Sequence, residues 1–346
     1  MKKALIISSL LICAATQLSG CSYSRYPTGN ISKNPKLAHL DANDMRKELI
    51  VDKTTGLAKT KNTRIEFGND KTFSVKYHRS VIYDASQATI PVEFSNGRKY
   101  IAYLDTGGPG YAILSSDIVI DNRFPIWPAF YSDDNSSMGI CYIPELKVGT
   151  AKIKNIIAPY EKHQWQFRII GIPFYKQQTV ILGRDFIKSF DYVMFDNVQK
   201  NVVFSKENTF LPNNPQLWSS YPFIEDPNGG NTIVVKIPLA GKVLDIAFDS
   251  CWGKPGLFIN KKHWEAIKQD LSFKIHGKFN GTTYQGMKLP GRKAIVSRLS
   301  IGEKMLKDAK IDISDDPNGY SIMGLDYFQD TVIVLDYVNN LFWIKK

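Results

Sequence analysis

Tyr100-Ile101-Ala102-Tyr103-Leu104-Asp105-Thr106-Gly107-Gly108 is an apolar run that ends in an acid, a small hydroxyl and two glycines. The run reads as a strand with side chains alternating between two faces, and glycine permits the tight turn that follows. A carboxylate is thereby presented at the end of a rigid element, beside a hydroxyl and several backbone N–H groups. The chain carries the arrangement twice, the second time as Leu244-Asp245-Ile246-Ala247-Phe248-Asp249-Ser250-Cys251.

The two copies belong to a longer internal repeat. Pro109-Gly110-Tyr111-Ala112-Ile113-Leu114 follows the first acid and Pro255-Gly256-Leu257-Phe258-Ile259 follows the second. Val180-Ile181-Leu182-Gly183-Arg184-Asp185-Phe186 returns as Ser321-Ile322-Met323-Gly324-Leu325-Asp326-Tyr327-Phe328. Tyr192-Val193-Met194-Phe195-Asp196 then matches Val332-Ile333-Val334-Leu335-Asp336. The offset holds along the chain, at 144 residues between Asp105 and Asp249 and 141 between Ile181 and Ile322. Solenoid repeats run to roughly 20–50 residues, so a period this long with two copies predicts two similar lobes instead. Each lobe offers one Asp to a shared cleft.

Asp-Thr-Gly, followed about 75 residues later by two apolar residues and Gly, resembles the aspartic proteases of the pepsin and retropepsin type. The resemblance runs from about Arg64 to the end of the chain. It implies an all-β architecture with a few short helices: the bilobal pepsin-like acid protease fold, with two β-barrel-like lobes and a cleft between them. It further implies a catalytic dyad of Asp105 and Asp249. Thr106 and Ser250 would hydrogen-bond across to the opposite loop, and Gly107 would steady the carboxylate through its N–H. Cys251 stands where the family has Gly; it keeps the backbone donor, but a positive φ there would be strained. A peptide or protein substrate is implied, with no metal or cofactor, and a monomer suffices for a complete dyad. The alternative is a lobe pair that binds peptides or an envelope partner without cutting them. By the same resemblance Tyr131 is the candidate flap tyrosine, and residues 278–286 form a second flap, with Asn280-Gly281 as its turn signal.

The N-terminus reads separately. Met1-Lys2-Lys3 precedes an apolar segment over 4–18, too short to span a bilayer. Leu18-Ser19-Gly20-Cys21 resembles a bacterial lipobox, which makes residues 1–20 a lipoprotein signal peptide and Cys21 the lipidation site. Ser22 in the next position fits an outer-membrane destination facing the periplasm. Residues 21–62 are polar and read as a tether, with a short helix over 41–52. The N-terminal lobe is expected over 63–207, a turn-rich linker over 208–230 and the C-terminal lobe over 231–346. Strands are predicted over 71–77, 89–94, 99–104, 147–157, 192–205, 232–238 and 243–248, and a helix over 261–271.

Composition narrows the remaining possibilities. The 346 residues, 43% of them apolar, suffice for two lobes with real cores. The formal charge of +11 comes from dispersed Lys and Arg, which argues against nucleic acid and for a solvated surface near anionic lipid. A positive field also favours ionised carboxylates, so work near neutral pH is expected. Cys141 and Cys251 remain after processing; an oxidising compartment would let them pair, and two buried free thiols are the expected state. The five histidines are scattered, with no H-E-x-x-H, and no G-x-S-x-G elbow, Walker loop or C-x-x-C spacing is present. Asp185 and Asp326 repeat ahead of aromatic residues and read as helix N-caps.

Overall fold

The computed structural model describes residues 21–27, 34–41, 49–51, 58–78, 87–127, 138–161, 163–169, 172–207, 209–226, 232–253, 255–282 and 288–346. It is mainly β and bilobal, with a few short helices. Six strands form the closed ring of the first lobe, with Arg64–Glu66 added beside one of them: β1 (Thr89–Phe94), β2 (Lys99–Leu104), β3 (Ala112–Ser115), β4 (Met138–Val148), β5 (Ala151–Glu161) and β6 (Val180–Leu182). The second lobe repeats them as β7 (Thr232–Leu239), β8 (Lys242–Phe248), β9 (Leu257–Ile259), β10 (Lys288–Ile301), β11 (Lys304–Ser314) and β12 (Ser321–Met323).

The pairings repeat as well. In the first lobe β1–β2, β3–β6, β4–β5 and β1–β4 are antiparallel, while β2–β6 and β3–β5 are parallel. In the second, β7–β8, β9–β12, β10–β11 and β7–β10 are antiparallel, while β8–β12 and β9–β11 are parallel. Each ring therefore closes on itself, which removes exposed strand edges and leaves an interior for side chains. Ile90, Ala102, Leu104, Leu114, Ile143 and Leu182 fill the first interior; Ile237, Ile246, Phe248, Leu299, Ile311 and Met323 fill the second.

A seam joins the lobes. Strand Tyr192–Asp196 pairs antiparallel with strand Val332–Asp336, centred on Met194 opposite Val334. Those residues are matching members of the internal repeat, so a pseudo-two-fold axis passes between them. Asn201–Ser205 and then Thr72–Lys76 extend the seam on one side; Leu341–Lys345 and then Trp218–Asp226 extend it on the other. The two hairpin turns are closed alike. Asp196 Oδ1 accepts from the Val198 and Gln199 N–H groups, and Asp336 Oδ1 from those of Val338 and Asn339. Trp218–Asp226 also pairs with β7, carrying the sheet into the second barrel.

Several expectations need correction. The stretch 147–157 is a hairpin broken at Gly149, whose φ of 56° suits a turn. The stretch 192–205 is likewise two strands. The linker over 208–230 holds a nine-residue strand, Trp218–Asp226. The predicted tether is tied to the first lobe: Cys21–Pro27 pairs with strand His163–Ile169, Leu37 is buried, and the Leu40 N–H donates to the Ile126 carbonyl. The end of the expected 41–52 helix is strand Leu49–Val51, paired with Ala58–Thr60. Asn280-Gly281 lies within a strand, opposite Pro290 and Leu289, and not at a turn. The 261–271 helix forms as Lys261–Ile267 and a following 3-10 turn. Among the described residues no helix is long and apolar enough to cross a membrane.

Candidate active site

Each Asp is held by the strand that precedes it and the short strand that returns beside it. The Asp105 N–H donates to the Leu182 carbonyl at 2.9 Å, and the Asp249 N–H to Met323 at 3.0 Å. Gly110 and Gly256 follow with φ of 71° and 81°, which explains the repeated Pro-Gly. Behind the loops sit Gly183 and Gly324. A Cβ on Gly183 would lie 2.5 Å from the Gly110 carbonyl oxygen, and one on Gly324 2.6 Å from that of Trp252. The apolar-apolar-Gly half of the repeat thus exists to let backbone meet backbone.

The two loops interlock through their hydroxyl residues, both fully buried. The Thr106 N–H donates to Ser250 Oγ at 3.0 Å and the Ser250 N–H to Thr106 Oγ1 at 2.9 Å. Thr106 Oγ1 then donates to the Phe248 carbonyl at 3.1 Å, and Ser250 Oγ to that of Leu104 at 2.5 Å. Each hydroxyl accepts from the opposite loop and donates to the strand behind it, so no polar group is stranded. This lock brings Asp105 and Asp249 within hydrogen-bonding reach of each other.

The carboxylates are partly accessible, and their surroundings oppose ionisation. Burial pushes Asp105 well above the usual carboxylate range, and the neighbouring charge of Asp249 pushes it further; the N–H groups of Gly107 and Gly108, at 2.9 and 2.8 Å from Oδ1, pull the other way. Burial also raises Asp249, opposed by the Cys251 N–H at 2.8 Å, by the Asp105 side chain and by the Trp252 N–H. Two carboxylates this close cannot both ionise readily, so the pair holds one proton that belongs to both.

Cys251 is accommodated without a left-handed backbone; positive φ among non-glycine residues occurs elsewhere. Its thiol donates to the Leu104 carbonyl at 3.3 Å, and burial followed by the two carboxylate charges keeps it protonated. Cys251 and Cys141 are both free, and the Cys141 thiol is buried against the Ala158 carbonyl.

Of the residues singled out in the sequence, Asp105, Thr106, Gly107, Asp249, Ser250 and Cys251 converge here. Tyr131 lies outside the described residues, as does the structure around a flap tip. The side chain of Cys21 is not described, although its backbone opens a strand. Asp185 and Asp326 are not caps: Gly183 and Gly324 hold the N-cap positions, and each Asp lies in the first turn, where it favours the helix dipole. Gly108, Trp252 and Gln87 were not foreseen. Gln87 Nε2 donates to the Cys251 carbonyl at 2.6 Å, and a lone polar residue ahead of a strand gives no sequence signal for that role. Among the described residues no group of His, Cys, Asp and Glu is placed to hold a metal.

No family model matches the sequence, and no curated protein matches it. Among solved structures, basic 7S globulin from soybean is similar over 79% of this chain and 94% of that chain, with 8% identity and a TM-score of 0.40. That likeness is too slight to support a conclusion about fold family or function.

Proposed function

We propose that the protein is an aspartic-type endopeptidase of the pepsin and retropepsin kind, anchored through acylated Cys21 to the bacterial envelope, facing the periplasm. The observation that carries the reading is the pair of raised carboxylates, Asp105 and Asp249, set in loops locked by the Thr106–Ser250 exchange. With one proton between them, the ionised member takes a proton from a water as that water attacks the peptide carbonyl. The protonated member gives its proton to the carbonyl oxygen, forming the tetrahedral diol. As the C–N bond breaks, the carboxyl that took the water's proton gives it to the leaving nitrogen and the other carboxylate takes a proton from a diol hydroxyl, which restores the pair. Loop N–H donors fix the carboxylates in place without neutralising them.

The test is cleavage of a mixed peptide library by the chain from residue 21 onward, between pH 4 and 8, alongside Asp105→Asn and Asp249→Asn. Cuts that disappear in both variants support the dyad; cuts that persist in either one overturn it. A second reading follows from Cys251, which carries a side chain beside the dyad where the other loop has Gly107. If the folded protein binds library peptides and cuts none, the cleft is a peptide-binding groove.

A further inference from the structure

The two barrels match strand for strand, yet their outer faces differ. In the second lobe Ile246, Phe248, Ile311 and Met323 fill the interior, so alternation puts Ala247, Asp312 and Ile322 on the outer face. Register runs these residues into one row. Ala247 lies beside Ile322, Ile322 opposite Phe258, Phe258 beside Asp312, and Asp312 opposite Lys293. The row starts two residues before Asp249, on the face that Asp249 continues. The matching row of the first lobe is Tyr103, Ile181, Ile113, Pro159 and Ile140. It carries no charge. Asp312 therefore breaks the repeat where the first lobe has Pro159.

Asp312 is 4% exposed, and among the described residues it accepts no hydrogen bond and joins no ion pair. Lys293 faces it from β10 and His276 from strand Phe273–Thr282, both with exposed side chains. Tyr327 is the other titratable group beside it, and its hydroxyl donates to the Lys310 carbonyl at 2.8 Å. An ionised carboxylate buried without a partner is costly. Burial pushes this one up to about 6, against the opposite pull of Lys293 and His276. A ligand that brought its own cation would remove that cost. The approach from the dyad is aromatic. The Trp252 N–H reaches the Asp249 carboxylate, the Trp252 ring lies 5.3 Å from that of Phe258, and Phe258 lies 5.6 Å from Phe279. Trp252 and Phe279 are half-buried. Aromatic faces leading to a carboxylate suit a cation carried on an apolar stem.

We infer that this face of the second lobe selects peptides carrying Arg or Lys, whose cation is received by Asp312. The inference rests on the endopeptidase reading only for the cut; a groove that binds without cutting would receive the same side chain. Neighbouring strands are about 4.8 Å apart, so Asp312 lies roughly 14 Å from the strand that leads to Asp249. An extended peptide rises about 3.4 Å per residue, which puts the basic residue within about four residues of the cut. The uncharged row of the first lobe makes no such demand.

The test is a positional scan with the chain from residue 21 onward. Arg, Lys, Gln and Glu are exchanged in turn at each peptide position within about four residues of the cut. At one position Arg and Lys should exceed Gln by about tenfold or more in kcat/KM, with Glu lowest. Asp312→Asn should bring the Arg-to-Gln ratio close to one while Gln peptides are cut at an unchanged rate. Asn removes an unpaired buried charge, so the variant should fold with a Tm no lower than wild type. Lys293→Gln takes away a competing cation and should raise the ratio by about threefold. A scan without a basic preference, or a preference that survives Asp312→Asn, overturns the site. If no peptide is cut, binding of the same labelled Arg and Gln peptides is measured by fluorescence anisotropy. Tighter binding of the Arg peptide that disappears in Asp312→Asn keeps the site and removes only the catalytic reading. Equal binding of both peptides, or none, removes the site as well.

Discussion

The loop around Asp105 and the loop around Asp249 use the same backbone and different neighbours. In the first, Asp105 is followed by Thr, Gly and Gly; in the second, Asp249 is followed by Ser, Cys and Trp. A Cβ on Gly107 would meet Asp249 Oδ2 at 3.0 Å and Cγ at 3.1 Å, and one on Gly108 would meet Asp105 Oδ2 at 2.8 Å. The second loop carries real side chains at the matching positions. Cys251 bonds to Leu104, and the Trp252 ring lies 5.3 Å from that of Phe258, which in turn lies 5.6 Å from Phe279 on the adjoining hairpin strand. The lock between the loops is close to symmetric, whereas glycines stand against the acids in one loop and a thiol and an indole in the other. Under the proposed function, catalysis depends on the first property and substrate choice on the second.

Removing either acid tests whether the symmetric part is what matters. Asp105→Asn and Asp249→Asn should each lower peptide cleavage by about a thousandfold or more, measured as kcat/KM on a fluorogenic peptide. Exchanging the asymmetric positions comes next. Gly107→Ala should cost about 1–3 kcal/mol of stability in denaturant unfolding, because its methyl group crowds the opposite carboxylate. Cys251→Gly should cost no more than about 1 kcal/mol and leave kcat within a few-fold. A large rise in kcat for Cys251→Gly would show that the cysteine obstructs the dyad.

The lock itself predicts near-equal losses. Ser250→Ala and Thr106→Val each leave a buried backbone N–H without its acceptor, and each should cost about 1–3 kcal/mol. Unequal losses would mean that one loop dominates the geometry. The smallest effect is a pH dependence. A carboxyl group whose folded pKa is raised stabilises the fold fully below its unfolded pKa and loses that contribution as pH rises through the folded value. Asp105 is such a group. Asp105→Asn should therefore raise Tm relative to wild type at pH 8 and lose that advantage at pH 3, by calorimetry across the range.

The repeat was legible because both loops need the same backbone, and the backbone restricts sequence: Pro-Gly for the positive φ, Gly183 and Gly324 for close approach. The pair of acids and their hydroxyl partners followed from it. What escaped the sequence was decided by tertiary contacts. Trp218–Asp226 reads as a linker because Pro222 and polar residues interrupt it, yet strand Leu341–Lys345 and β7 pair with it on either side. Asn280-Gly281 carries a hairpin signal, but the partner strand extends past it and pairs with it. The segment at 49–51 lost its helix to a pairing with Ala58–Thr60. Gln87 acts on the site through fold-level proximity alone.

The seam between Tyr192–Asp196 and Val332–Asp336 also has a history in time. A chain made from its N-terminus delivers the whole first barrel before the partner strand of the seam exists. Pairing across so long a separation in sequence is slow, because the intervening chain must be ordered first. Asp105 therefore waits, without its partner, until nearly the last residues have arrived. Under the proposed reading, no working site exists until the second barrel closes, and completion of the fold is activation.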